Sequence, residues 1–167
     1  MLAWPMNVES AFAFVRCIAH VGFPPHPSAR NTARVMSEEN VEIVRRAYRT
    51  YQSEGLEAAM EFFHPEVEWE DLDALPDAGS YKGQEEFREA VSRFYAAWDD
   101  LSFTPEDFID AGEAVVVAHR WRGTGKSSGT PIDTLTWNVF TLRDDKIIQR
   151  RAFQHRKEAL EAAGLSE

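Results

Sequence analysis

Residues 101–153 read LSFTPEDFIDAGEAVVVAHRWRGTGKSSGTPIDTLTWNVFTLRDDKIIQRRAF. Four stretches within them, 101–110, 114–122, 132–142 and 146–153, are rich in Val, Ile, Phe and Trp. Turn signals separate them at Ala111-Gly112, in the Gly-containing segment 123–129, and at Asp144-Asp145. Such spacing predicts four consecutive strands.

Upstream the periodicity changes from two to that of a helix. Val41, Val44, Tyr48 and Tyr51 recur on one face of 37–53, while Glu42, Arg45, Arg46 and Arg49 fall largely elsewhere, so an amphipathic helix is expected. Ser37-Glu38-Glu39 reads as its N-cap and acidic first turn. Gly55 breaks it, and a short second helix carries Leu56, Ala59, Met60 and Phe63 until His64-Pro65 stops the pattern. Val67, Trp69 and Asp71 then alternate with glutamates as a short strand, followed by an irregular loop through Pro76 and Gly79. A third helix begins near Gln84 and aligns Phe87, Ala90 or Val91, Phe94 and Trp98; a last one, 157–163, is capped by Gly164. Helices grouped early and strands grouped late predict an α+β fold, an antiparallel or mixed curved sheet with helices on one face, and not alternating βαβ units.

Composition narrows the function. The chain has 167 residues, 44% of them hydrophobic, with a formal charge of −10 and no Lys/Arg-rich run, so nucleic acid is not expected as a partner. No apolar run approaches the roughly 20 residues of a membrane span. The single cysteine, Cys17, forms no intrachain disulfide, and five scattered histidines show no metal-ligand spacing. We therefore expect a cytoplasmic protein without metal or cofactor. Residues 1–35 stand apart: Arg16, Arg30 and Arg34 oppose only Glu9, and four of the eight prolines fall there. We read them as a poorly ordered extension with a short helix at 8–21 and a Pro-rich linker, preceding a domain at 36–167 whose charge is −12. An anionic shell around an apolar pocket points to a neutral, hydrophobic ligand.

No phosphate loop, HExxH, dinucleotide fingerprint or Gly-x-Ser-x-Gly is present, so function is sought in polar residues that interrupt inward-facing rows. Tyr48 lies on the inward stripe of the first helix, where its hydroxyl needs a partner; a packed core tyrosine is the plainer reading. Asp71 continues the row of Val67 and Trp69, where burial would make it a general base near neutrality; a strand-end aspartate turning into a loop is the alternative. Asn138 shares a face with Phe140 and Leu142, and a buried amide there can donate to a ligand oxygen or to a neighbouring strand. His119 accompanies Val115, Val117 and Trp121, and Arg150 shares with Ile148 and Ala152 a row, alternating with Ile147, Gln149 and Arg151, that would line a cavity or face solvent. Trp69, Trp98 and Phe140 complete the expected pocket lining.

This order, with Glu68-Trp69-Glu70-Asp71, Tyr81-Lys82-Gly83, Glu113-Ala114-Val115-Val116-Val117, Phe140 to Ile147 and Glu158 to Leu165, resembles a SnoaL-like member of the nuclear-transport-factor-2-like, or ketosteroid isomerase-like, superfamily. The resemblance covers residues 37–165. It implies a cone-shaped α+β barrel enclosing a hydrophobic pocket, and a homodimer. By comparison with the ketosteroid isomerases, Asp71 matches the general base at the end of the first strand, and Tyr48, placed before Gly55, matches the oxyanion-hole tyrosine. Asn138 stands where the isomerases have a protonated aspartic acid; an amide donates without needing a raised pKa. The scytalone dehydratase histidine pair and the epoxide hydrolase Asp-Arg-Asp network have no recognisable counterpart. The expected function is acid–base chemistry on a hydrophobic, carbonyl-bearing small molecule, of isomerase or cyclase type, with Asp71, Tyr48 and Asn138 as catalytic residues. The alternatives are a binding module of the same fold and a dimeric interaction protein whose cavity is filled by Trp69, Trp98 and Phe140.

Overall fold

Six strands form one open mixed sheet in a computed structural model that describes residues 29–73, 75 and 78–166, with side chains from Ser37 on. In chain order the elements are α1 (Ala29–Glu54), α2 (Leu56–Ala59), a 3-10 turn (Met60–Phe62), β1 (Phe63–Glu70), β2 (Ser80–Lys82) and α3 (Gly83–Ala96). Then come β3 (Trp98–Ala111), β4 (Ala114–Gly125), β5 (Pro131–Arg143), β6 (Lys146–Phe153) and α4 (Arg156–Ala162). The chain divides into two units, Met1–Thr32 and Ala33–Glu167, and the six described strands belong to the second. The expected helix at 8–21 and the Pro-rich linker lie outside the described residues. No helix among the described residues is long and apolar enough to cross a membrane.

The sheet order is β2-β1-β6-β5-β4-β3, antiparallel throughout except where β1 runs parallel to β6. The four consecutive strands fold as the alternation requires. Gly112 at φ 76° and the pair Asp144-Asp145 at φ 52° and 59° make the two tight reversals; the left-handed region is most accessible to glycine and to short polar side chains. Alternate residues then part company. Val115, Val117, Phe140, Leu142 and Ile147 pack on the inner face against Val44, Ala47 and Phe87 of the helices. Val116 and Val139 face the other way, where Ala159 and Leu160 of α4 cover them.

Two local expectations are corrected, and one strand is added. Ser37 is no N-cap: α1 extends back to Ala29, and the buried Ser37 hydroxyl donates to Asp110 of β3. Pro65 does not stop a pattern but lies within β1, where the register against β6 shifts between Phe63 and Glu68; proline lacks the N–H that a regular ladder uses, and the irregularity accommodates it. The segment beyond Gly79 contains a strand, β2, too short to show alternation, which pairs antiparallel with β1 at the sheet edge and places Lys82 and Glu68 2.9 Å apart.

Candidate functional site

Cross-strand register assembles the site. Trp69 of β1 pairs with Arg150 of β6, Arg150 with Phe140 of β5, and Phe140 with Val115 of β4, giving one row across the inner face. Asn138 opposes Val117 two residues along, and His119 lies one further step along β4's inner face. Helix α1 sets Tyr48 above these strands, with its ring edge-on to His119 at 5.3 Å, Phe140 at 5.9 Å and Phe108 at 6.0 Å. Asp71 follows directly on the last residue of β1.

Tyr48, Trp69, Asp71, His119, Asn138, Phe140 and Arg150 all line a single cavity of about 130 Å³. Trp98 does not. It opens β3 with its ring 6.0 Å from Phe94, because α3, whose stripe would have carried it inward, ends two residues before it, at Ala96. Aromatic residues that the sequence reading did not assign to the pocket supply much of the remaining wall, among them Phe87, Phe103 and Trp121. Tyr51 and Tyr95, also in the wall, join hydroxyl to hydroxyl. Tyr51 was legible as the next residue on the stripe of Tyr48; Tyr95, beside inward Phe94, carried no periodic signal.

The polar groups are only partly satisfied. Asp71 Oδ1 accepts a hydrogen bond from Trp69 Nε1 at 3.1 Å and lies 3.7 Å from Arg150. Arg150, 5% exposed, donates to the Glu70 carbonyl at 2.9 Å, and its guanidinium lies 4.2 Å from the centre of the Trp69 ring. Asn138 Nδ2 and His119 Nδ1 are 3.0 Å apart. With the amide donating, the imidazole proton is on Nε2, which leaves one donor, His119 Nε2, and one acceptor, Asn138 Oδ1, buried without a partner among the described residues, as Arg150 Nε is. No described residue hydrogen-bonds the Tyr48 hydroxyl.

Burial governs the charges. It pushes His119 down to about 3, helped by the Arg150 charge, so the imidazole is neutral at neutral pH. It pushes Arg150 down to about 10, against the pull of Tyr48 and Asp71, so the guanidinium stays a cation. The Tyr48 phenol is raised well above its ordinary value by burial, with Arg150 acting in the opposite direction. Arg150 is thus electrostatically linked to Tyr48, His119 and Asp71 alike. Among the described residues, no group of three or more His, Cys, Asp and Glu is placed to hold a metal ion.

The SnoaL-like domain family matches residues 44–150, which span the site from α1 to β6. An NTF2-like protein from Burkholderia thailandensis E264 is 25% identical, with a TM-score of 0.65 over 75% of this chain and 96% of that one. A putative SnoaL-like polyketide cyclase from Jannaschia sp. CCS1 is 22% identical, with a TM-score of 0.61 over 77% and 92%. A protein from Catenulispora acidiphila DSM 44928 with a ketosteroid isomerase-like fold, in complex with trimethylamine, is 18% identical, with a TM-score of 0.59 over 74% and 93%. No curated protein matches the chain.

Proposed function

Because this chain belongs to the SnoaL-like domain family, whose fold carries several chemistries, we propose from its own cavity that it is a small-molecule enzyme using acid–base catalysis on a hydrophobic carbonyl compound. One observation carries the reading: a carboxylate, a phenol and a carboxamide, from Asp71, Tyr48 and Asn138, share the wall of one aromatic cavity. Asp71 removes a proton from the carbon beside the carbonyl, and the oxygen of the developing enolate takes hydrogen bonds from Tyr48 and Asn138. The Asn138 amide keeps one N–H for this role while the other meets His119. Neutral His119 holds that amide in place and exchanges no proton itself. An isomerase or cyclase needs such an enolate.

The test is deuterium incorporation at the α-carbon of phenylacetone in D2O, followed by proton NMR. The protein accelerates exchange, and Asp71→Asn lowers the catalysed rate by ~100-fold or more, as loss of a general base does. Tyr48→Phe lowers it less severely. Equal rates in protein and Asp71→Asn would sink the proposal. A second reading, a module that holds its ligand unchanged, is favoured by the Trp69 hydrogen bond that occupies Asp71 Oδ1; it predicts binding with no exchange.

A further inference from the structure

The anionic outside of the domain suggests a neutral ligand, yet the inside of the cavity is different. Among the described residues its lining holds two formal charges, Asp71 and Arg150, and the cation is the more deeply enclosed: the Arg150 side chain is 6% exposed and that of Asp71 20%. The two are not in direct hydrogen-bonding contact. At 3.7 Å their separation exceeds the 2.7–3.2 Å of an N–H···O bond, and the facing Oδ1 is already bonded to Trp69. Of the guanidinium's five N–H groups, one is accounted for by the Glu70 carbonyl, and the Nε donor has no partner among the described residues. Leaving a buried charge incompletely hydrogen-bonded is costly, and hydrophobic replacements of similar volume are often at least as stable. A guanidinium kept in that condition is a receptor for an oxygen anion, for which its planar fork is suited.

Size restricts the ligand further. A cavity of about 130 Å³ is close to the ~150 Å³ void that accommodates benzene, and the rings of Trp69, Phe103 and Phe140 offer flat apolar walls. We propose that the cavity binds a compound with one planar ring and a carboxylate or similarly acidic oxygen, and that this oxygen docks on Arg150. The inference rests on the cavity being the ligand site, as the proposed function does, but not on Asp71 acting as a base. Under both, the substrate is a single-ring carbonyl compound that is also an acid. The negative field outside does not oppose a monoanion strongly once screened by salt, and within the cavity the Arg150 charge is the nearer one.

Calorimetric titration with three probes of one ring size tests this: benzoate, benzyl alcohol and benzylamine. Wild-type protein binds benzoate about tenfold or more tighter than the other two, and Arg150→Gln removes that preference while benzyl alcohol still binds. Asp71→Asn lowers catalysed deuterium exchange by ~100-fold or more yet tightens benzoate, since a like charge is gone; the two proposals therefore fail separately. Should Arg150→Gln not fold, the wild-type ranking decides. Equal or stronger binding of benzyl alcohol or benzylamine overturns the inference, as does failure of all three to bind or a preference unchanged in Arg150→Gln.

Discussion

The two faces of the same sheet treat polar residues in opposite ways. On β4 and β5 the outward Arg120 meets Glu106 at 2.5 Å and Asp133 at 2.8 Å, and Arg122 meets Asp133 at 3.1 Å, all in reach of water. On the inward side of β4, β5 and β6, His119, Asn138 and Arg150 are enclosed, and each keeps a polar atom with no partner among the described residues. Alternation along a strand gives both sets the same backbone and the same neighbours in sequence. The outer ion pairs of β4 and β5 satisfy one another, although Arg151 on the outward row of β6 keeps its Nε without a partner among the described residues; the inner polar groups are arranged around a space. A fold optimised for stability alone would have filled that space with aliphatic side chains, and the proposed function places its ligand there.

The faces are separable by mutation. The largest stability loss is expected on the outer side: Leu160→Ala, at the contact of α4 with Val116 and Val139, lowers unfolding free energy by about 2–4 kcal/mol in urea titration and leaves benzoate affinity unchanged. An equal loss of affinity would mean the faces are coupled. On the inner side the double variant His119→Phe/Asn138→Leu replaces an incompletely satisfied polar pair. Its stability matches or exceeds wild type by about 1–2 kcal/mol while deuterium exchange falls, whereas a large destabilisation would show the pair to be structural.

Acidification sharpens the contrast through His119. Its folded-state value, about 3, lies below the unfolded value near 6.5, so between those limits the unfolded chain binds the extra proton and stability falls as pH falls. The contribution is fully present above pH ~6.5 and is lost at up to about 1.4 kcal/mol per pH unit below it. His119→Phe therefore flattens stability against pH between about 6.5 and 4.5, above the range where carboxylates dominate. An unchanged slope would mean that His119 is not enclosed as described. The smallest effect belongs to Arg120→Ala on the outer face: a slight loss in urea titration at low salt that vanishes at high salt, because exposed ion pairs are screened.

What the sequence disclosed followed the range of the interactions. The strands from β3 to β6 and their reversals at Gly112 and Asp144-Asp145 were legible because alternation and turn chemistry are local. The start of α1 was not: Ser37-Glu38-Glu39 has the look of a cap, but the Ser37 hydroxyl serves Asp110 across the fold. Strand β1 was read too short because its partner is distant β6, whose irregular register tolerates Pro65. In the site, Tyr48, Asn138 and His119 announced themselves by breaking apolar rows. The enclosure of Arg150 needed the register that sets it between Trp69 and Phe140, and Trp98 was misdirected by extending the α3 stripe beyond its end.

Deuterium incorporation into phenylacetone, compared between wild type and Asp71→Asn, decides whether Asp71 acts as a base. Wild-type protein catalyses the exchange, and the variant loses it by ~100-fold or more while its fold is retained by circular dichroism. Wild-type exchange no faster than that of Asp71→Asn would contradict that role.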